Sequence, residues 1–173
     1  LSDFFDFFKK AFDKTCHTIL LDKLEHYGFR GLALTWFTNY LKDRQQAVCV
    51  NNTISSSRYI NVGVPQGSIL GPIIFLIFIN CLPNSVNFFA LLFADDTTFQ
   101  MSNSNLKDLF TNTNIELEKA SEWFKSNKLT LNVSKTKYIV FKPKYCTENL
   151  DNFTLKIGNE SIERIGENLP IKS

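Results

Sequence analysis

Apolar residues recur along the chain at two spacings, one typical of helices and one typical of strands. Spacings of three or four residues predict helices over residues 19–27, 32–41, 69–82 and 106–128. Gly28 and Gly31 mark the end of the first helix and the start of the second. Shorter apolar or alternating runs predict strands at residues 3–8, 45–50, 58–62, 88–93, 97–101, 137–142, 153–157 and 160–165.

The order of these predicted elements indicates the fold class. A strand is followed by helices, a strand pair, a helix, a hairpin, a long helix and further strands. Because strands and helices do not alternate regularly, this order favours an α+β fold in which helices cover one face of a mostly antiparallel sheet. The 173 residues, 44% of them hydrophobic, suffice for one globular domain with its own core.

Charge, cysteines and apolar runs limit the compartment and the partners. A formal net charge of +2 is too small to indicate a polyanionic partner by itself. The four cysteines are far apart and form no CxxC pair, which indicates free thiols and an intracellular location, cytoplasmic or nuclear. The longest apolar stretch, residues 69–82, is short and interrupted by Gly71 and Pro72, so we expect no membrane partner.

Two adjacent aspartates, Asp95 and Asp96, lie between two predicted strands in the sequence FFALLFADDTTFQ. Like charges repel and carboxylates are costly to bury, so this position between apolar runs requires an explanation. One interpretation is a hairpin turn, in which aspartate is common. The other is a divalent cation such as Mg²⁺, which takes oxygen ligands from carboxylates and substrate phosphates. The residues alone leave both interpretations open.

A glycine-rich segment, GVPQGSILGPIIF, covers residues 63–75. Glycine permits a positive φ or a close approach of the backbone to a ligand, and proline restricts φ. Ser68 is placed to cap the apolar helix that follows. A rigid loop of this kind suits a nucleotide or a nucleic-acid strand, whereas an ordinary loop before a core helix explains the same residues.

Several segments, taken in order, resemble the palm of reverse transcriptases, most of all those of non-LTR retrotransposons of the LINE type (jockey-like). They are GVPQGSILGP, then FADD, then LNVSKTKYIVF, and before them KKAFDKTCHTILLDKLEHYGFRGLALTWFTNYLKDRQQAV, which resembles the KAFD segment and its helices. The resemblance covers residues 1–165 and leaves 166–173 as an altered or truncated tail. It implies an RNA-directed DNA polymerase palm, a ferredoxin- or RRM-like antiparallel sheet with helices on one face, with incomplete fingers and no thumb.

The resemblance also implies catalytic roles. Asp95 would bind Mg²⁺ or Mn²⁺, with Asp96 beside it and a third carboxylate supplied by Asp6, and two ions are expected. Two such ions activate a primer 3′-hydroxyl and stabilise the leaving pyrophosphate. Lys135 would be the general acid for pyrophosphate. The residues implied to contact the incoming nucleotide are Phe12 (the aromatic gate against a ribose 2′-hydroxyl), Gln66, Gly67 and Ala94.

The partners implied by the resemblance are an RNA template, a DNA primer, deoxynucleoside triphosphates and the remainder of a retrotransposon polyprotein. Basic side chains that would neutralise nucleic-acid phosphates, or else be ordinary solvated charges, are Lys9, Lys10, Arg44, Lys125, Lys128, Lys135 and Lys137.

The sequence departs from the family pattern at Asp6. The pattern is an aspartate, two residues and then KAFD, so the metal-binding position counted back from Lys10 falls on Phe7. A shift of one residue turns a strand side chain to the opposite face of its sheet. A bulge after Asp6 would restore its direction. Otherwise the chain is a catalytically dead remnant that folds and at most binds nucleic acid or a partner.

Overall fold

A computed structural model of the chain describes residues 11–65, 67–93, 96–143 and 146–166. The predicted strand at residues 3–8 lies outside the described residues. The described residues form two compact units, residues 11–80 and residues 81–166. Both units combine helices with short strands, which agrees with the predicted mixture of α and β structure.

The N-terminal unit, residues 11–80, is mainly helical. Its helices are α1 (Ala11–Lys14), α2 (His17–His26), α3 (Leu32–Leu41) and α4 (Leu70–Ile79). Helix α2 packs against both α3 and α4. The core consists of fully buried apolar side chains that the helical spacing places on the inner faces, among them Leu20, Leu24, Ile74, Phe75 and Phe78. The predicted helices at 19–27, 32–41 and 69–82 are therefore confirmed, with small shifts at their ends.

The strands of the N-terminal unit form an exposed ribbon. They are β1 (Gln45–Gln46), β2 (Cys49–Val50), β3 (Thr53–Ile54) and β4 (Arg58–Tyr59). Strands β2 and β3 meet at Asn51 and Asn52, whose φ angles of 48° and 62° suit a two-residue hairpin. Strand β1 pairs with β4. The predicted strand 45–50 is interrupted between β1 and β2, where the Ser55 hydroxyl accepts the Val48 N–H at 2.9 Å in place of a backbone carbonyl. The predicted strand 58–62 is shortened to β4.

The C-terminal unit, residues 81–166, is built around one long helix, α5 (Leu106–Ser126). Asn105 caps its start by accepting the Asp108 N–H at 3.2 Å. Lys128, with φ 56°, ends the helical path in the left-handed conformation common after helix C-termini. The predicted helix 106–128 is thus confirmed except for its last two residues. The strands are β5 (Phe89–Phe93), β6 (Asp96–Gln100), β7 (Lys137–Tyr138), β8 (Lys156–Ile157), β9 (Glu160–Ser161) and β10 (Glu163–Arg164).

The strands of the C-terminal unit pair two by two. Strands β5 and β6 form an antiparallel hairpin, and β8 and β9 form another across Gly158, which has φ 59°. Strand β7 pairs with β10 in parallel, a pairing that the expectation of a mostly antiparallel sheet did not specify. These last two strands are shorter than the predicted 137–142 and 160–165. The backbone pairing of β7 with β10 extends by one further hydrogen bond, from the Ile165 N–H to the Tyr138 carbonyl. The chain then turns at Gly166, which has φ 82°.

Within the described part of the chain, no helix is both long enough and apolar enough to cross a membrane.

Candidate active site

The Asp-containing hairpin is formed by β5 and β6, whose alternating side chains separate a buried face from an exposed one. Phe93 lies opposite Asp96, so the two strands are joined by residues 94–95. Thr97 and Phe99 are fully buried, whereas Asp96 and Phe93 are exposed. The hairpin prediction for 88–93 and 97–101 is confirmed. Ala94 and Asp95 lie outside the described residues.

The buried face of this hairpin is held by aromatic packing. Phe88, just before β5, stacks on Phe99 of β6 with ring centroids 4.8 Å apart. Thr97 contributes a buried hydroxyl, and its Oγ1 makes no hydrogen bond with any part of the chain that the structure describes. Asp96, one residue earlier, therefore projects from a strand that is fixed on its other side by packed, largely apolar groups.

A buried carboxylate that the sequence did not reveal anchors the hairpin to α5. Glu116 accepts hydrogen bonds from the backbone N–H of Asn87 at 2.7 Å and from its Nδ2 at 3.0 Å. Lys119 lies 2.7 Å from the same carboxylate. Burial raises the pKa of Glu116, but the hydrogen bonds from Lys119 and Asn87 and the charge of Lys119 outweigh burial, so the pKa lies below its usual value. The available signal was an acidic residue inside the apolar stripe of α5, next to Leu117.

Lys135 lies on a compact turn between α5 and β7. Asn132 organises this turn: its carbonyl accepts the Thr136 hydroxyl at 2.9 Å and the Lys135 N–H at 3.0 Å. Thr136 is fully buried, whereas Lys135 is exposed. The neighbouring Lys137 lies 2.9 Å from the Glu163 carboxylate. The side chain of Lys135 therefore extends into solvent from a turn that is fixed at both ends.

The first part of the glycine-rich segment is paired with the KAFD segment through backbone atoms. The Gly63 N–H donates to the Thr15 carbonyl at 2.7 Å, and the Val64 N–H donates to the Phe12 carbonyl at 2.8 Å. Gly63 has φ 86°, and a Cβ at this position would lie 2.9 Å from the Asp13 carbonyl oxygen. Glycine is required here for both its φ and its size. Two segments far apart in sequence are thereby brought together.

The second part of the segment forms the turn into α4. The Ser68 hydroxyl donates to the Pro65 carbonyl at 2.8 Å and accepts the Gly71 N–H at 2.9 Å, as predicted for a helix-capping serine. A Cβ on Gly71 would overlap the Pro65 carbonyl oxygen. Gly67 has φ 81° and open space around its Cα. Gln66 lies outside the described residues.

Phe12 lies in α1 and packs on α4. Its ring centroid is 4.5 Å from that of Phe75, a fully buried residue, and its own side chain is partly exposed. The sequence did not indicate this contact. It fixes one side of the Phe12 ring and leaves part of the ring accessible.

An open cleft of about 580 Å³ lies beside these paired segments, entirely within the N-terminal unit. It combines a carboxylate, a guanidinium group and two amide side chains with the backbone of the glycine-rich segment. The lining residues are Asp13, Arg44, Gln45, Gln46, Ile60, Val62, Gly63, Val64 and Pro65. The cleft therefore offers donors and acceptors for a polar ligand.

The predicted site residues are distributed over both units. Phe12 and Gly67 belong to the N-terminal unit, and Asp96 and Lys135 belong to the C-terminal unit. Asp6, Gln66, Ala94 and Asp95 lie outside the described residues. Within the described ranges, no group of three His, Cys, Asp or Glu side chains is close enough to hold a metal ion. The assignment of all eight residues remains a prediction.

Comparison with known proteins identifies the family. The model of the family described as reverse transcriptase (RNA-dependent DNA polymerase) matches residues 4–166, so the chain belongs to this family. The chain is 27% identical over 141 residues to the probable RNA-directed DNA polymerase from transposon X-element of Drosophila melanogaster, covering 77% of this chain and 15% of that protein. It is 26% identical over 141 residues to the RNA-directed DNA polymerase from mobile element jockey of the same organism, with the same coverage.

A third relative matches a shorter stretch. The chain is 36% identical over 81 residues to the probable RNA-directed DNA polymerase from transposon BS of Drosophila melanogaster, covering 43% of this chain and 8% of that protein. The resemblance to jockey-like reverse transcriptases is confirmed. The chain spans 8% to 15% of the length of these curated relatives.

Proposed function

We propose that residues 1–165 form the palm of an RNA-directed DNA polymerase that adds nucleotides to the 3′-hydroxyl of a DNA primer on an RNA template. The observation that carries this proposal is the β5–β6 hairpin, which opposes Phe93 and Asp96 within the FADD sequence of a reverse transcriptase family member. This hairpin would belong to the antiparallel palm sheet, with the strand at residues 3–8 beside it. The remainder of a retrotransposon polyprotein would supply the other polymerase parts.

The residues of the proposed metal site fit Mg²⁺ or Mn²⁺. Asp95, Asp96 and Asp6 would supply carboxylate oxygens, the ligand type that these hard cations prefer, and the described member, Asp96, is exposed to solvent. Two bound ions would neutralise the charge that develops during phosphoryl transfer. The protein's own part is to hold the carboxylates on a rigid hairpin, which the packing of Thr97 and Phe99 supports.

The cleft of the N-terminal unit would receive the incoming deoxynucleoside triphosphate. Its wall contains Asp13, the neighbour of Phe12, and Pro65, the neighbour of Gln66. In this role Phe12 would exclude a ribose 2′-hydroxyl, and Gln66 and Gly67 would approach the sugar. Ala94, the sequence neighbour of Asp95, would lie beneath the primer terminus. The contact between Phe12 and Phe75 supports a gate, because exclusion by shape requires a side chain that does not move aside.

Lys135 would protonate the leaving pyrophosphate. Its side chain is exposed, and it takes part in no ion pair within the described ranges, whereas Lys137 is paired with Glu163. An ammonium group that is not already paired is the better proton donor and phosphate ligand of the two.

An alternative is a folded remnant without catalytic activity that binds nucleic acid or a partner. The observation that favours it is the position of Phe7, where the family pattern has the metal-binding aspartate. Phenylalanine offers no ligand for a cation. The two functions differ in one respect that an experiment reaches directly, namely whether the chain supports primer extension that depends on Asp95.

The test is a graft of residues 1–165 into the corresponding place in a complete related polymerase, made with and without Phe7. Asp95→Asn should lower primer extension by more than about a hundredfold in whichever graft is active, because it removes a metal ligand. Thr98→Ala, two residues after Asp96 on β6, is the control and should retain activity. Equal extension with and without Asp95 would contradict the proposed site. Two inactive grafts that still bind template–primer would identify the remnant.

A further inference from the structure

Three residues spaced by four along α3 and just beyond it form a ladder of stacked groups. Trp36 and Tyr40 lie with ring centroids 5.5 Å apart and planes within 10° of parallel. The Arg44 guanidinium carbon lies 5.7 Å from the centroid of the Tyr40 ring. The helical repeat places residues four apart on one face, and Asp43, with φ 54°, turns the chain between the end of α3 and Arg44.

The ladder is exposed at one end and fixed at its centre. Trp36 is 50% exposed, in contrast to the other tryptophan, Trp123, at 9%. The Tyr40 hydroxyl donates to the Ser68 hydroxyl at 3.2 Å, which ties the ladder to the glycine-rich segment. Phe37 packs against Trp36 in a T-shaped arrangement, with ring centroids 5.1 Å apart. A large indole held in one orientation and half open to solvent offers a flat surface to a planar ligand.

The charges near the ladder indicate what kind of planar ligand suits it. Helix α3 itself, LALTWFTNYL, has no charged residue. The guanidinium of Arg44 follows the two rings, and Arg44 is also among the residues that line the polar cleft beside Gly63. An aromatic surface with one cation at its end matches a nucleobase joined to a phosphate, because bases stack on aromatic rings and arginine pairs with phosphate.

We propose that the Trp36–Tyr40–Arg44 ladder binds single-stranded nucleic acid, with one unpaired base stacked on Trp36 and a backbone phosphate of the same strand at Arg44. This deepens the proposed function, on which it rests, because the strand it receives would be the unpaired template next to the nucleotide cleft. The shared residue Arg44 connects the two sites. Stacking does not depend on base identity, which suits a polymerase template.

The test measures the affinity of the full chain for a fluorescein-labelled single-stranded RNA oligonucleotide by anisotropy, in EDTA and at low salt. Trp36→Ala should weaken binding by roughly 5- to 150-fold, the cost of losing one stacked base. Trp36→Phe keeps a ring and should stay within about threefold of the wild type. Leu32→Ala is the matched control, since Leu32 is 90% exposed one turn earlier on α3, and it should leave the affinity unchanged.

Salt dependence distinguishes the two halves of the ladder. Arg44→Ala should reduce the slope of log affinity against log salt by about 0.7, the value for one phosphate contact on a single strand, and Trp36→Ala should leave that slope unchanged. Thermal melts followed by circular dichroism establish whether each variant folds. If Trp36→Ala does not fold, Trp36→Phe is the variant on which the stacking proposal is tested.

The outcomes separate this proposal from the polymerase assignment. Asp95→Asn should bind the RNA as the wild type does, because the ladder needs no metal. An unchanged affinity in Trp36→Ala, or no RNA binding by the wild type, would overturn the ladder proposal and indicate another occupant for this face, such as a protein. If RNA binding depends on Trp36 but the graft never extends primers, the polymerase assignment is contradicted and the ladder proposal stands.

Discussion

Glu116 of α5 accepts hydrogen bonds from both the backbone N–H and the side-chain amide of Asn87, at 2.7 Å and 3.0 Å. Asn87 lies two residues before β5, so this carboxylate fixes the start of the hairpin that carries the aspartate pair. The distance between the two residues in sequence is 29, which makes the contact a tertiary anchor.

Glu116→Gln should lower the free energy of unfolding at pH 7 by about 1–3 kcal/mol, because a charged acceptor of several hydrogen bonds is replaced by a neutral one. The folded-state pKa is lowered, so the stabilisation is present above the usual glutamate pKa of 4.5 and is lost as pH falls through the folded-state value. Urea unfolding of both proteins over a range of pH checks this. Glu118→Gln, at an exposed position on the same helix, is the control. If the difference in unfolding free energy between wild type and Glu116→Gln does not change with pH, the lowered pKa of Glu116 is contradicted.

Gly63→Ala should destabilise the N-terminal unit more than Gly28→Ala does. Both glycines have positive φ, of 86° and 94°, so both substitutions carry backbone strain of about 1–3 kcal/mol. Only at Gly63 would the new Cβ also press on the Asp13 backbone, 2.9 Å away, since nothing lies within 4 Å at Gly28. Denaturation followed by Trp36 fluorescence in a Trp123→Phe background measures the difference. Equal losses would show that the close approach does not matter.

Thr97→Val should be neutral or should stabilise the chain by up to about 1 kcal/mol. The Thr97 hydroxyl is buried without a hydrogen bond among the described residues, and replacing such a group by a methyl of similar shape removes a desolvation cost. Thr98→Val, at a partly exposed position on the opposite face, controls for the higher strand preference of valine. A clear loss of stability in a thermal melt of Thr97→Val would indicate that the hydroxyl has a partner.

Mn²⁺ should bind the chain weakly, and the substitution Asp95→Asn should lower the affinity for Mn²⁺ further. The physical reason is an acidic pair on a rigid hairpin without the substrate phosphates that complete the coordination of such ions. Titration followed by the electron paramagnetic resonance signal of free Mn²⁺ measures both affinities. Asp108→Asn, at the start of α5, is the control for a general loss of charge. Identical affinities in wild type and Asp95→Asn would leave the aspartates as ordinary turn residues.

Deleting Phe7 should improve primer extension by the graft of residues 1–165. The deletion moves Asp6 into the family spacing from Lys10, and a misplacement of about 1 Å at a catalytic group costs on the order of a hundredfold in rate. Deleting Phe5 instead shortens the same segment without changing the spacing between Asp6 and Lys10, and should give no improvement. If the unmodified graft already extends primers at the rate of the parent enzyme, a bulge restores Asp6 and the register is not a defect.

The sequence predicted best those elements that are specified by a local pattern of apolar and polar residues. The hairpin of β5 and β6 follows from alternation on both sides of a short connection, and α5 follows from apolar side chains at helical spacing. The parallel pairing of β7 with β10 was missed because neither two-residue strand has a periodic pattern and the pairing depends on tertiary packing.

In the candidate site, too, some features have a local sequence signal and others depend on tertiary packing. The aspartate pair and the glycine-rich segment are local signals, and resemblance to a family gave them roles. The Phe12–Phe75 contact, the Glu116–Asn87 anchor and the Trp36–Tyr40–Arg44 ladder join positions by packing or by orientation, and no pattern of single residues specifies them. The spacing of Trp36 and Tyr40, four residues apart on a predicted helix, indicates a shared face, but Arg44 lies beyond the end of that helix.

The pairing of residues 62–64 with residues 12–16 uses backbone atoms, through the bonds of Gly63 and Val64 and the bridge between Cys16 and Val62. In a saturation mutagenesis library of residues 62–64, the three adjacent positions should therefore differ in which amino acids they accept. Val62, half exposed, should accept most amino acids other than proline; Gly63 should accept none; and Val64, which is 5% exposed, should accept only small apolar residues. Insertions and deletions between residues 12 and 16 should be depleted as strongly as substitutions of Gly63, because they shift every bond of the pairing at once.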